Sequence, residues 1–455
     1  MAQKGKHFLL LPDSAFGHII PMLELARHLA DISATVTFAV SALLVDDMCH
    51  RDILSREEEK QFNLYGIEDG VKHTLDEACT PKILMDKFEL SAAGLNLLLN
   101  RIPISGSTID GKIVSELSAP VDAVIVDILL VGAIIDTCRT RRLSVFAFSP
   151  FAGTFCYHFL MIREDAPTVP DEMFMEEIPL GRSVHSFRSV DLAINRALLH
   201  VDGLLINSFR SLEPQLQTMI DRDAPQFSNV RLHFVGPSLP VGNNPTTISD
   251  CKTTQWLNMQ EPRSVVYFSF GSIAAACPEQ IKTIAEGLLS LKKPFIWSLR
   301  LSQQCHLPAE ILQPTDKYLI VPWVSQKAVL AHEAVRVFIS HCGWNSTLEG
   351  LSNGVPIVAW PFFGDQFANA GLVVRSGCGV RVPRRVAVDQ PKSEVQVPAE
   401  QLKNLIDQVA QWEKTLEKNE FFVAAQSLRK DAREALSGSE ELSRALSKIP
   451  TLANL

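Results

Sequence analysis

Three residues with acid–base chemistry stand where short apolar runs of the sequence end. His18 and His341 each follow such a run, and Asp127 lies near the end of another. Continuous apolar runs of this length are typical of buried parallel strands. Ligands of parallel α/β folds bind at the carboxyl ends of the strands. We therefore expect all three side chains at ligand-binding edges of the fold.

His18 and Asp127 form a candidate general-base pair. A carboxylate at the end of an apolar strand is costly unless it is paired, and His18 is the natural partner. In such a pair the carboxylate fixes the imidazole tautomer and stabilises the imidazolium that forms when the base takes a proton. A structural or merely exposed His18 is the alternative interpretation, and the sequence alone leaves it open.

The stretch "HCGWNSTLEG" at 341–350 has two interpretations. Ser346 and Glu349 form an S-x-x-E pattern before an apolar run, which predicts a helix from Ser346 with a capping box. A helix N-terminus also binds anions, and Gly343 would let a ligand approach the backbone. His341 and Asn345 would add donors. The turn at 271–273, which contains Ser272, suits a phosphate in the same way, although a simple tight turn is the alternative there.

Composition excludes several classes of protein. The 455 residues are 46% hydrophobic and 21% charged, which is typical of globular proteins. A formal net charge of −8 disfavours a nucleic-acid binder. The nine scattered cysteines have no zinc-site or redox spacing and indicate reduced thiols in the cytoplasm. The most apolar stretch, 124–135, is too short for a membrane span and carries a charge.

Strands and helices alternate along the chain in βαβ units, with a first helix that is predicted to start at Pro21 and a strand that is predicted at 123–130. They predict an α/β fold with two doubly wound Rossmann-like domains facing each other across a cleft. A stretch around 236–250, rich in Gly, Pro, Asn, Thr and Ser, reads as a linker. The predicted bounds are an acceptor-binding domain at 1–238, a linker at 239–252 and a donor-binding domain at 253–435. A C-terminal helix at 436–455 is expected to pack on the first domain.

Residues 323–366, "WVSQKAVLAHEAVRVFISHCGWNSTLEGLSNGVPIVAWPFFGDQ", resemble the 44-residue signature box of plant-type UDP-sugar-dependent glycosyltransferases (family 1, GT-B fold). The opening tryptophan, the "HCGWNS" core and the closing Asp-Gln all match. "GHIIPMLELARHLA", "LINSFRSLEP" and "SVVYFSFGSI" extend the similarity over nearly the whole chain. "PFIWSLR" and "PFFGDQ" are most similar to the flavonoid 3-O-glucosyltransferase branch.

The resemblance implies a role for each matching residue of the donor site. Uracil would stack on Trp323 and hydrogen-bond the Val324 backbone, and the ribose would be held by Gln326 and Glu349. The diphosphate would contact Ser272, His341, Asn345 and Ser346, and the sugar would contact Ser149, Trp344, Asp365 and Gln366. A terminal glutamine in this box favours glucose, whereas histidine would favour galactose.

Some positions depart from the family pattern or are not diagnostic. Val324-Ser325 replaces the common Ala-Pro, Arg336 stands where a small residue is usual, and Ile128 follows Asp127 in place of an aromatic residue or cysteine. Three phenylalanines are candidates for the acceptor site: Phe16, Phe151 and Phe155.

The resemblance predicts an inverting, metal-independent transferase without a cofactor that uses UDP-glucose as donor. A flavonoid or other phenol would be its small hydrophobic acceptor, His18 its base, and the expected state is a monomer. A C-glycosyltransferase and a non-catalytic nucleotide-sugar-binding protein remain as alternatives. A nicotinamide dehydrogenase is disfavoured because G-x-G-x-x-G is missing after the first strand.

Overall fold

The protein is described by a computed structural model. The described residues are 5–31, 34–50, 53, 63–70, 81–101, 120–162, 184–238, 248–271, 276–362, 364–383 and 397–437. The chain divides into two compact units, the first formed by Met1–Pro240 with Ala435–Leu455 and the second by Val241–Glu434. The division at Pro240 falls inside the predicted linker. The predicted helix at 436–455 lies outside the described residues from 438 onward.

The first unit contains a seven-stranded parallel sheet in the order β3-β2-β1-β4-β5-β6-β7. Its strands are β1 (His7–Leu11), β2 (Thr35–Ser41), β3 (Asn63–Ile67), β4 (Ala123–Asp127), β5 (Ser144–Ser149), β6 (Gly203–Ile206) and β7 (Leu232–Phe234). Its helices are α1 (Phe16–Asp31), α2 (Ala42–His50), α3 (Pro81–Arg101), α4 (Ile128–Thr140), α5 (Gly153–Met161), α6 (Val184–Leu198) and α7 (Leu216–Asp223).

The second unit contains a six-stranded parallel sheet in the order β10-β9-β8-β11-β12-β13. Its strands are β8 (Val265–Ser269), β9 (Phe295–Ser298), β10 (Tyr318–Val321), β11 (Val335–Ser340), β12 (Ile357–Ala359) and β13 (Gly379–Arg381). Its helices are α8 (Ile248–Asn258), α9 (Pro278–Ser290), α10 (Leu301–Gln304), α11 (Gln326–Ala331), α12 (Trp344–Ser352), α13 (Gln366–Arg375), α14 (Ala399–Ala410) and α15 (Glu420–Ser437).

Both sheets are buried on their two faces, as parallel sheets with crossover helices must be. Buried Phe8, Phe38 and Phe148 belong to the core of the first unit, and Phe268 and Trp297 belong to that of the second. The prediction of two doubly wound α/β domains is therefore confirmed. Among the described residues, no helix combines the length and the apolar character that a membrane crossing needs.

The structure corrects the predicted boundaries at three places. The run 123–130 is not one strand, because Asp127 ends β4 and α4 begins at Ile128. A short apolar run looks the same in a strand and in a buried helix turn. Pro21 lies inside α1 rather than at its start, since the helix already begins at Phe16. The last residues of the predicted linker, from Ile248, form the first turn of α8.

Arg336, a departure from the family pattern, is buried at the second position of β11. Its Nε donates to the carbonyl of Ala410 (2.7 Å) and its Nη2 to that of Gln411 (3.1 Å), both at the C-terminus of α14. Its guanidinium also lies 5.3 Å from the centre of the Trp412 ring. A cation at this helix end satisfies carbonyls and complements the helix dipole. Arg336 therefore fastens α14 to the sheet.

Replacing Arg336 with alanine should lower the free energy of unfolding of the protein by about 2–4 kcal/mol, because the carbonyls at the end of α14 lose a charged donor and the buried side chain leaves a cavity. Chemical denaturation monitored by tryptophan fluorescence measures this change. Arg375→Ala, at an exposed position on α13, is the control and should cost less than about 1 kcal/mol. Equal, small effects of the two substitutions would contradict the role assigned to Arg336.

Candidate active site

His18 and Asp127, predicted as a pair, lie in direct contact in the first unit. His18 Nδ1 is 2.8 Å from Asp127 Oδ2, and the Asp127 side chain is fully buried. The other Asp127 oxygen, Oδ1, accepts the Leu129 N–H (3.0 Å) and caps α4. Parallel pairing of β1 with β4, with Leu11 opposite Val126, brings the two residues together across 109 positions of sequence. A Nδ1–H directed at a carboxylate leaves Nε2 as the basic nitrogen of the ring.

A second carboxyl group near this pair was missed by sequence reasoning. Asp13 follows β1 by two residues, and its Oδ1 accepts the Ala15 N–H (3.2 Å). Burial raises the pKa of Asp13, the neighbouring His18 opposes that shift, and the charge of Asp127 adds to it. The only available signal was its position just after a predicted strand. Three titratable groups therefore share this edge of the sheet.

One of the three predicted acceptor phenylalanines, Phe151, lies against His18, and a second, Phe155, lies against Phe151. The Phe151 ring meets the His18 imidazole edge-on with centroids 5.0 Å apart, and Phe155 lies 5.0 Å from Phe151. The row of rings continues from Phe155 to His158 at 6.2 Å. Phe16, at the start of α1, is half-buried and packs against the core. The rings of Phe151, Phe155 and His158 form an aromatic wall, against which a flat apolar molecule beside His18 could pack.

Ser149, predicted to contact the sugar, is fully buried at the end of β5. Its hydroxyl oxygen receives the Cys156 thiol (2.7 Å) and the Phe151 N–H (3.2 Å). These bonds tie the end of β5 to α5. A sugar contact would require the hydroxyl to exchange them, so that role stays a prediction.

His341, in the second unit, lies between two glycines. A Cβ on Gly271 or on Gly343 would come within 2.6 Å of the imidazole, so only glycine fits at both positions. Gly271 also has a φ of +70°, which favours glycine. Burial lowers the pKa of His341 to about 4. Its buried Nδ1 has no hydrogen-bond partner among the described residues, and Ser272 lies outside them.

The predicted capping box at Ser346 and Glu349 is wrong. Helix α12 begins at Trp344 with Gly343 as its N-cap, and no side chain caps it. Ser346 is therefore already inside the first turn. The S-x-x-E spacing instead places two side chains on one face of the helix, because residues three apart are neighbours there.

Gln326, the first residue of α11, connects Ser346 and Glu349. Its Nε2 donates to Ser346 Oγ (2.9 Å) and to Glu349 Oε2 (2.6 Å). The Tyr267 hydroxyl donates to Gln326 Oε1 at 3.4 Å. Three residues with predicted roles in donor binding thus form one network, and Tyr267 is a member that the sequence did not reveal.

Glu349 has a raised pKa that can be tested by experiment. Burial raises its pKa to about 7, and the hydrogen bond from Gln326 and the charge of Lys327 oppose that shift. Close to this network, Val324 is buried and Trp323 is 59% exposed. A tryptophan exposed to this extent offers a ring face to a ligand.

The end of the predicted box lies around α13. Gln366 is buried and its Oε1 accepts the Phe362 N–H (2.8 Å). Asn369 donates to Asp365 Oδ2 (2.8 Å) and to the Cys342 carbonyl (2.9 Å). Asn369 therefore ties α13 to the turn before α12, a positioning role that lay outside the sequence reasoning. Trp344 is buried and Asn345 is half-buried at the start of α12.

Comparison with known proteins shows which proteins the chain is similar to. A family model described as "UDP-glucoronosyl and UDP-glucosyl transferase" matches residues 215–397. UDP-glycosyltransferase 73E1 of Stevia rebaudiana is 28% identical over 83% of this chain and 81% of its own. An anthocyanidin 3-O-glucosyltransferase of Solanum melongena is 38% identical over 45% of each chain. The crystal structure of Os79 from O. sativa, in complex with U2F and trichothecene, is 25% identical with a TM-score of 0.77, covering 97% and 100% of the two chains.

Glu349→Gln should change how stability depends on pH. Because the pKa of Glu349 is about 7 in the folded protein against an ordinary 4.5, the folded state holds an extra proton between those values. The free energy of unfolding of the wild type must therefore fall as pH rises through this window. The free energy of unfolding of the wild type, minus that of Glu349→Gln, should therefore drop by about 2 kcal/mol between pH 4.5 and pH 8.

Chemical denaturation at several pH values measures this difference. Glu286→Gln is the control, since Glu286 is exposed on α9, and it should keep the pH dependence of the wild type. If Glu349→Gln also kept that pH dependence, Glu349 would not be the titrating group.

Proposed function

We propose that the chain is a UDP-sugar-dependent glycosyltransferase that acts on small-molecule acceptors, and that it transfers glucose to a phenolic hydroxyl of a flavonoid or related compound. The observation that carries the proposal is the 2.8 Å contact between His18 Nδ1 and Asp127 Oδ2. It supplies a positioned base next to an aromatic wall. The family box supplies the donor site.

The nucleoside of the donor is proposed to bind at Trp323, Gln326 and Glu349. The exposed Trp323 ring would stack on uracil, and the Val324 backbone would hydrogen-bond its edge. The Glu349 carboxylate suits two adjacent ribose hydroxyls, because it accepts two hydrogen bonds. One Glu349 oxygen already accepts a hydrogen bond from Gln326 in the structure. Donor binding is therefore expected to rearrange an existing network.

The diphosphate is proposed to bind at His341 and the N-terminus of α12. The first N–H groups of that helix receive no capping side chain, and helix N-termini stabilise anions. Since burial keeps the pKa of His341 near 4, its imidazole is neutral at pH 7 and donates an N–H rather than a full charge. Ser346, Asn345 and Ser272 would add contacts. These groups replace a metal ion as stabilisers of the leaving group.

The chemical step is proposed to be a single displacement. His18 Nε2 takes the proton of the acceptor hydroxyl while the oxygen attacks the anomeric carbon of the sugar. The bond from that carbon to the diphosphate oxygen breaks, and its electron pair leaves with UDP. Asp127 stabilises the imidazolium, and the proton later passes to solvent. One displacement inverts the anomeric configuration.

The acceptor is proposed to be flat and apolar because a row of aromatic rings begins at His18. The centre of the Phe151 ring lies 5.0 Å from that of the His18 ring, and the centre of the Phe155 ring lies 5.0 Å from that of Phe151. Aromatic side chains gain both apolar burial and ring–ring contacts with a phenol. The anthocyanidin-glucosylating relative supports a flavonoid, and Gln366 with Trp344 and Asp365 is proposed to select glucose.

Two alternatives differ in their products. A C-glycosyltransferase with the same residues would attach the sugar to a ring carbon and give a product that resists acid hydrolysis. A non-catalytic nucleotide-sugar-binding protein would bind UDP without turning over any phenol. The His18–Asp127 contact favours an O-transferase over a binding protein, because a sensor needs no base.

His18→Ala should lower kcat of glucosyl transfer by about 10²- to 10⁴-fold, the usual contribution of a general base. The affinity for UDP should stay within about twofold of the wild type, since His18 lies in the first unit and the donor residues lie in the second. Transfer from UDP-glucose to a flavonol panel, followed by mass spectrometry, and calorimetric titration with UDP measure the two quantities.

The matched control is His200→Ala, an exposed histidine of the same unit, which should retain full activity. Wild-type turnover by His18→Ala would show that another group is the base. Tight UDP binding without any turnover by the wild type would favour the binding-protein alternative.

A further inference from the structure

Helix α5 carries the aromatic wall but begins without a local cap. Its N-cap residue is Ala152, whose side chain has no hydrogen-bonding group, and it follows Phe151 directly. Phe155, one turn into the helix, contacts Phe151 beside His18. The first N–H groups of a helix need partners from elsewhere when the N-cap residue supplies none. The position of the start of α5 therefore determines where the rings of Phe151 and Phe155 lie relative to His18.

The missing cap comes from Glu213, far along the chain. Its Oε1 accepts the Gly153 N–H (2.9 Å) and its Oε2 accepts the Thr154 N–H (2.5 Å). Glu213 is only 4% exposed, and the described residues show no ion pair to it. Two charge-assisted hydrogen bonds and the positive end of the helix dipole therefore offset the cost of burying this carboxylate.

Close packing leaves the helix start little freedom relative to the segment that bears Glu213. A Cβ on Gly153 would lie 2.4 Å from Leu216 Cδ2, so the backbone of α5 rests directly on the first residue of α7. A second tie lies farther along the helix, where the Tyr157 hydroxyl donates to Asp223 Oδ2 (2.6 Å). The tie at Glu213 acts on the first turn of α5, next to Phe151, where Ser149 also accepts the Phe151 N–H and the Cys156 thiol.

We propose that Glu213 is a positioning residue for acceptor selection, which fixes the start of α5 and so sets how Phe151 and Phe155 present an acceptor to His18. The proposal rests on the function proposed above. It predicts that the carboxylate affects which hydroxyl reacts and how well the acceptor binds. The donor residues of the second unit should be unaffected.

Glu213→Gln keeps the shape of the side chain but removes its charge and turns one acceptor into a donor. One of the two N–H bonds must then be lost. KM for a flavonol acceptor such as quercetin should rise about tenfold, and the ratio of glucoside regioisomers should change, while KM for UDP-glucose stays within about twofold. Hydrogen–deuterium exchange of the 151–161 segment should quicken, and this readout needs no turnover.

Tyr157→Phe is the matched control because it breaks the other tie between α5 and α7. It should lower the melting temperature by an amount similar to Glu213→Gln, yet leave the acceptor KM and the regioisomer ratio unchanged. If both substitutions changed the acceptor parameters equally, Glu213 would contribute only stability and the proposal would fail.

A second variant separates capping from positioning. Ala152→Ser in the Glu213→Gln background supplies a local cap without restoring the long-range tie. The melting temperature should recover while the acceptor KM and regioisomer ratio stay altered. Recovery of both would overturn the proposal, as would unchanged exchange of residues 151–161 in Glu213→Gln. Absence of transfer by the wild type would instead contradict the proposed function, and the exchange measurement would still decide the role of Glu213.

Discussion

Parallel pairing of adjacent strands is the constraint on which both sites depend. All strands of each sheet run in one direction, so every strand ends at the same edge, and residues distant in sequence meet there. In the first unit the neighbouring strands β1 and β4 end beside each other, and this places His18 against Asp127. In the second unit, β8 and β11 are neighbours in the same way, and the turns after them place Gly271 against His341. The two contacts, His18 with Asp127 and Gly271 with His341, therefore depend on strand order.

Polar groups at these edges are buried, and burial determines their chemistry. Asp127 is fully buried, and two hydrogen bonds hold its oxygens. His341 is kept neutral, because burial lowers its pKa. The raised pKa of Glu349 has the same cause. A site of this kind is prepared to exchange internal hydrogen bonds for bonds to a ligand, because a low-dielectric environment strengthens each of them.

The sequence predicted the fold class and the His18–Asp127 contact, because apolar runs indicate buried strands and a carboxylate at the end of such a run needs a partner. The sequence did not predict features that depend on packing between distant parts of the chain. Helix α12 begins at Trp344 with Gly343 as its N-cap, so the helix start at Ser346 that the S-x-x-E pattern predicted is wrong. The bridge made by Gln326 depends on how α11 packs against α12. The cap that Glu213 gives to α5 joins residues 60 apart and has no sequence signature.

The central claim is that one base, His18, drives a single displacement at the anomeric carbon. A single displacement must invert that carbon, whereas a covalent sugar–enzyme intermediate would retain its configuration through two displacements. The direct measurement is the proton NMR spectrum of the glucoside formed from UDP-α-glucose, taken before any anomeric equilibration. A single displacement predicts a β-glucoside with a large coupling between the anomeric proton and its neighbour. An α-glucoside with a small coupling would contradict it.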